Sequence, residues 1–147
     1  MGDALAYSKS GIILCNLTGN KLSDEGLRKL SPGLALNKTL KQLNLNDNRI
    51  GSIASPRSIV SMETFAKVLQ IHPVLDTLWL KGNILCPEVC DALLPALRNP
   101  GDPTKPNPRF KLVGVDAGLK IPRDVYEMLN ISGGGAGGKK KKGKKKK

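Results

Sequence analysis

The sequence predicts an α/β fold: a short solenoid arc of about four parallel strands, with helices along its convex side, followed by a disordered basic tail. Three observations carry this. A leucine pattern recurs at long intervals, apolar residues at helical spacing fill those intervals, and composition changes abruptly after Ile131. The organisation is then a repeat domain over residues 1–131, a glycine-rich linker over 132–138 and a lysine tail over 139–147.

The strands come from the leucines. Leu40, Leu43, Leu45 and Asn48 fill the pattern L-x-x-L-x-L-x-x-N, and Leu75, Leu78, Leu80 and Asn83 fill it again. Ile12, Cys15, Leu17 and Asn20 form an earlier, degraded copy; Phe110, Val113 and Val115 form a weak fourth, with Gly118 where the asparagine belongs. Alternation in L-x-L puts two leucines on one face of a short strand, and the intervening residues point the other way. The closing asparagine turns its amide inward onto the backbone as the chain bends away, so Asn20, Asn48 and Asn83 read as turn residues rather than catalytic ones.

Helices follow each copy. Ser23-Asp24-Glu25 predicts an N-cap and an acidic first turn ahead of Leu27 and Leu30. The second interval holds Met62, Phe65, Ala66, Val68 and Leu69. Pro87 opens a third helix containing Val89, Cys90, Leu93, Leu94 and Leu97, and Pro122–Ile131 is the last. The asparagines stand 28 residues apart, then 35; the distance on to Gly118 is again 35. The first excess is placed in Ser52–Ser61. The second is placed in Asn99–Pro108, four prolines in ten residues, which predicts a stiff loop.

Two full matches in register resemble the leucine-rich repeat, and the intervening helices make the chain most similar to the ribonuclease-inhibitor-like class over about residues 10–131. The resemblance implies a short horseshoe whose concave strand face receives a partner. Terminal repeats of such an array need covering, and only residues 1–11 and 122–131 are placed to do it, so at least one end is expected to meet a partner.

Composition narrows the function classes. The chain has 147 residues and only five aromatics, so its core is aliphatic. The formal net charge is +12, but eight lysines lie in the last nine residues; without them the body holds 16 basic against 12 acidic residues. A basic nucleic-acid-binding body is thereby disfavoured, though a basic arm is not. No apolar run is long enough to span a membrane, and Met1–Ala6 reads as neither a secretory leader nor a myristoylation signal. With three cysteines, this predicts a reducing, cytoplasmic setting and free thiols.

The outward positions of the strands are where specificity is written. One column is Asn16, Asn44, Trp79 and Gly114; the next is Thr18, Asn46, Lys81 and Asp116; the one before is Leu14, Gln42, Thr77 and Leu112. The partner-binding set is therefore Asn16, Thr18, Gln42, Asn44, Asn46, Thr77, Trp79, Lys81 and Asp116. Trp79, the single tryptophan, is either an interface anchor or a packing residue against a neighbouring strand or the proline-rich loop. Cys86 and Cys90 share a helix face and could join His72 as ligands, but structural zinc wants a second cluster and none is present. His72, ahead of Pro73, reads as a helix-end cation or turn residue. No nucleophile elbow or phosphate loop occurs, so no enzyme, cofactor, metal or small-molecule substrate is expected.

Lys139, Lys140, Lys141, Lys142, Lys144, Lys145, Lys146 and Lys147 form a polyanion-binding arm behind Ser132–Gly138. It lacks arginine and aromatics, so it reads charge and not sequence. The alternative is a solubilising or nuclear-targeting run. The short array with its Gly-Lys tail is similar to leucine-rich-repeat subunits of ciliary axonemes, which implies a structural subunit in a cilium with the tail on the acidic tails of tubulin. Two other readings stand beside it: a peripheral ribosomal protein whose tail lies on RNA phosphates, and, least favoured, a thiol or metal enzyme using Cys86 and Cys90.

Overall fold

A computed structural model describes residues 2–6, 11–117 and 122–131. In chain order the elements are α1 (Gly2–Ala6), β1 (Leu14–Asn16), α2 (Ser23–Leu36), β2 (Gln42–Asn44), α3 (Pro56–Ile71), β3 (Thr77–Leu85), α4 (Pro87–Leu97), β4 (Arg98–Asn99), β5 (Asp102–Pro106), β6 (Leu112–Ala117) and α5 (Arg123–Leu129). Gly118, the linker and the lysine tail lie outside the described residues.

Alternation within the leucine motif decides which side of each strand is sealed. Leu43, Leu45, Leu78, Leu80, Val113 and Val115 are buried, and the residues between them face away from the helices. The sheet has the order β1-β2-β3-β6 with every pair parallel. The helices pack one against the next in chain order on the leucine side. Phe65, Met62, Leu69, Leu93 and Leu97 close the core from the helical layer.

The turns that leave the strands are held by asparagine. Asn83 Oδ1 accepts the backbone N–H of Asn48 and of Ile50, each at 3.0 Å, and its Nδ2 donates to the carbonyls of Leu45 (2.9 Å) and Leu80 (2.8 Å). Asn48 repeats this one turn earlier. Its Oδ1 accepts from Asn20 N (3.0 Å) and Leu22 N (3.2 Å), and its Nδ2 donates to Leu17 O (2.8 Å) and Asn46 O (2.9 Å). Each amide satisfies three backbone groups of the preceding repeat and one of its own, deep inside the molecule. Asn20, with no described repeat before it, is exposed, and among the described residues its side chain donates only to Thr18 O at 3.2 Å. The ladder also brings Gly82, at φ +74°, so close to the Asp47 carboxylate that a Cβ there would overlap it.

A second ladder, unforeseen in the motif, enters the strands. Asn37 Oδ1 accepts from Thr39 N (2.9 Å) and Leu40 N (2.7 Å), His72 Nδ1 from Val74 N (3.4 Å) and Leu75 N (3.1 Å), and Asn107 Oδ1 from Arg109 N (3.1 Å). These three residues stand 35 apart, each three positions ahead of the first apolar residue of its motif. Arg109 then reaches back to the C-terminal end of α3, donating from Nη1 to Gln70 O (3.2 Å) and His72 O (2.7 Å) and from Nη2 to Leu69 O. A cation on these free carbonyls also complements the helix dipole.

Four expectations are corrected. Ser23 is not the cap of α2; that position falls to Leu22, which makes no side-chain cap bond. Asp24 instead crosses to the next repeat, accepting from Gly51 N at 2.7 Å and Ser58 Oγ at 2.6 Å. The Ser52–Ser61 interruption is half helix: Ser55 caps α3 by accepting from Ser58 N at 3.1 Å, and Pro56 opens it. Asn99–Pro108 is not a plain loop, because β4 and β5 pair antiparallel, a two-stranded ribbon that leaves its prolines on open edges. The last helix, expected over Pro122–Ile131, spans Arg123–Leu129, and the residues after it serve the sheet instead.

Short chain segments flank the array at its two ends. α1 packs on α2, with Leu5 buried and its carbonyl accepting from Asn37 Nδ2 at 2.8 Å. At the other end Ile131 O accepts from Val113 N at 2.7 Å and Asn130 Oδ1 from Val115 N at 3.3 Å, so β6 is not left as a bare edge. Asn83→Ala should cost about 3 kcal/mol or more, since it strands several buried backbone groups, and Asn20→Ala less than about 1 kcal/mol. Equilibrium urea unfolding of the two variants checks the difference.

Candidate functional site

The open face of the sheet presents the residues between the leucines. Register aligns Leu14, Gln42, Thr77 and Leu112 in one row and Asn16, Asn44, Trp79 and Gly114 in the next. Cross-strand bonds bring the third row together: Asn46 Oδ1 accepts from Lys81 N at 2.8 Å, and Asp116 Oδ2 accepts from Gly82 N at 2.7 Å.

Six of the nine predicted contact residues already hold hydrogen bonds within the molecule, and Asn16, Asn44, Asn46 and Asp116 spend theirs on the backbone. Asn16 Oδ1 accepts from Thr18 N (3.0 Å) and Thr18 Oγ1 (2.7 Å), and Asn44 Oδ1 accepts from Asn46 N (3.0 Å). Thr77 is buried and donates its hydroxyl to Asp76 Oδ1 at 2.8 Å. Gln42, Trp79 and Lys81 differ. Their side chains make no hydrogen bond among the described residues; Trp79 and Gln42 are half-buried and Lys81 is exposed. Trp79 is thus neither sealed in the core nor fully free.

A small cavity of about 180 Å³ lies beside it, lined by Trp79, Lys81, Leu112, Gly114, Asn130 and Ile131. Gly114 makes the space. A Cβ there would stand 3.2 Å from Lys81 Cε and 3.8 Å from Trp79 Cδ1, so the lysine stem and the indole edge lean over a missing side chain. Asn130 and Ile131 arrive only because the chain folds back after α5, and no local pattern announced their place on this face. At the foot of the face Lys111 Nζ pairs with Asp76 at 2.6 Å. Burial pushes that carboxyl up, but the hydrogen bonds from Lys111 and Thr77 and the charges of Lys111 and Lys41 prevail, holding it below the usual carboxylate range.

The cysteines and the histidine sit apart from this face. Cys86 occupies the N-cap position of α4, half-buried, and Cys90 is buried with its Sγ 3.8 Å from Leu85 O. Burial, then the neighbouring Cys86, Asp91 and Glu88, pushes the Cys90 thiol up to about 12, which keeps it protonated and unreactive at neutral pH. Among the described residues no three His, Cys, Asp or Glu side chains gather to hold a metal ion. His72 is the turn acceptor of its repeat and not a helix-end cation: burial, then the charges of Arg109 and Lys38, lowers its pKa to about 4.

With this geometry in view, comparison with known families matches the leucine-rich repeat over residues 16–31 and 36–53. The first match runs from β1 into α2, and the second from the end of α2 through β2 and the turn of Asn48. These two segments match leucine-rich repeats, and the parallel four-stranded sheet fits a solenoid built from such repeats. Such repeats generally mediate protein–protein interaction, and the family is typically non-enzymatic. No curated protein matches the chain. No helix among the described residues is long and apolar enough to cross a membrane.

His72 gives a pH test of the second ladder. Its folded pKa lies below the unfolded value, so the unfolded chain takes up a proton that the folded chain refuses between about pH 6.5 and 4. Stability from this group is complete above that window and falls as pH drops through it, by up to about 1.4 kcal/mol per pH unit. His72→Asn, which keeps the acceptor used at positions 37 and 107, should fold and lose this part of the pH dependence. Urea midpoints at pH 7 and pH 4.5 for the two proteins check it.

Proposed function

We propose that the chain is a non-enzymatic scaffold of the ribonuclease-inhibitor-like class, docking a partner protein on a concave strand face centred on Trp79, while the lysine tail tethers it to an acidic surface. The carrying observation is the half-exposed indole beside a cavity opened by Gly114, on a face where Gln42 and Lys81 also have uncommitted side chains. A rigid aromatic next to a vacant pocket is the arrangement that anchors interfaces. The polar residues around it are fixed by their own backbone bonds, which lowers the entropy lost on docking.

The tail supplies a charge anchor with no sequence readout, suited to a surface of repeated carboxylates. Its chemistry fits the glutamate-rich tails of tubulin. The role we assign is a structural subunit of a ciliary axoneme, made in the cytoplasm and assembled onto the microtubule surface.

Cosedimentation with microtubules tests the tether. The full chain should bind at low salt, release steeply as salt rises, and fail to bind once residues 139–147 are deleted or tubulin lacks its acidic tails. Equal binding to tail-less tubulin, or tighter binding to RNA at the same salt, would overturn the tubulin assignment in favour of a general or ribosomal polyanion contact. The body is tested separately: Trp79→Ala should weaken capture of the main partner from ciliary extract at moderate salt by about 2 kcal/mol and leave the tether intact. Tail deletion should do the reverse.

A further inference from the structure

On the helical side of the molecule, away from the strand face, two adjoining hollows form one trough. The larger, about 520 Å³, is lined by Gln70, Pro95, Arg98, Asn99, Pro103 and Asn107 among others. The smaller, about 340 Å³, runs between α3 and α4 and is lined by Glu63, Ala66, Lys67 and Ala92. Gln70 and Pro95 line both, so the two are continuous. The ribbon of β4 and β5 builds the larger end, which is what the extra residues between α4 and β6 contribute.

Arg98 is the feature that calls for a ligand. It is half-buried in the larger hollow, its Nε–H is buried without an acceptor, and no hydrogen bond or ion pair among the described residues uses its guanidinium. A buried guanidinium donor left unpaired is costly, and a carboxylate relieves that cost best, because its two oxygens match the planar fork. No acid lines this hollow. Asp102, in the same ribbon, is occupied by Lys105 at 2.6 Å and by the Thr104 hydroxyl at 2.6 Å. At the other end Lys67 is exposed and makes no ion pair among the described residues, with Glu63 beside it on the same helix. Pro95, Pro103, Ala66 and Ala92 supply apolar wall to the trough, with the amides of Gln70, Asn99 and Asn107 among them.

We infer that this trough binds an extended acidic segment of a partner protein, one carboxylate on Arg98, apolar side chains against Pro95 and Pro103, and a second acidic residue towards Lys67. A chain segment is favoured over a small acid because the hollow is elongated and carries its two cations at opposite ends. The site is distinct from the Trp79 face, and its test is independent of that reading.

The full chain, labelled with ¹⁵N, is titrated at physiological salt with acetyl-Glu-Leu-Glu-Leu-Glu-amide, with the same peptide carrying Gln for Glu, and with free glutarate. The expected result is saturable shifts at the amides of Gln70, Arg98 and Asn99 with the acidic peptide. Affinity should be at least tenfold weaker for the Gln peptide and for Arg98→Ala, with Arg98→Lys intermediate and Lys67→Glu weakened several-fold. Lys67 is exposed, so that variant keeps the test valid should Arg98→Ala unfold, and thermal melts identify such a failure. Shifts confined to the lysine tail, equal binding of the Gln peptide, or full binding by a folded Arg98→Ala would overturn the site. Glutarate binding as tightly as the peptide would overturn the assignment to a chain segment.

Discussion

The structure depends on one repeated interaction: a buried asparagine amide that closes the turns after β2 and β3 by bonding to the backbone of the repeat before it. Hydrophobic burial holds strands and helices together, but it is non-directional. The amides of Asn48 and Asn83 are directional, and each needs four backbone partners at bonding distance. They set the stacking register, and from it follow the rows on the open face and the place of Trp79 within them.

The parts of this fold that were legible in the sequence are those whose cause is local. L-x-L reports which face of a strand is buried, so the strands, their parallel order and the rows Asn16, Asn44, Trp79 and Gly114 could be written down in advance. Where a residue's partner lies about a repeat away, the local reading failed. Asp24 looked like part of a helix cap because its neighbours are Ser23 and Glu25, yet its partners are Gly51 and Ser58 in the next repeat. The acceptor ladder at Asn37, His72 and Asn107 was hidden by a change of residue type, although the constant spacing of 35 would have exposed it. Asn99–Pro108 showed why it could not be a helix or a central strand, but not that an edge ribbon accepts prolines.

The site was legible only as a list of rows. Which members are free for contact depends on hydrogen bonds that take up Asn16, Asn44, Asn46, Thr77 and Asp116 and leave Gln42, Trp79 and Lys81. The cavity beside Trp79 depends further on a side chain that is missing at Gly114 and on a chain end returning from α5. The trough on the other side arises from two helices and an insertion, three segments with no common motif. In both places the leucines supply the scaffold, and irregular positions between them supply the individuality.

The asparagine ladder has a polarity that bears on biosynthesis. Each rung reaches back towards the amino terminus, so a repeat leaving the ribosome carries unclosed backbone groups until the asparagine of its successor has been translated and docked. The growing chain must therefore mature one unit behind its own elongation. A product truncated before Asn83 is left with the backbone groups of Leu45, Asn48 and Ile50 unclosed.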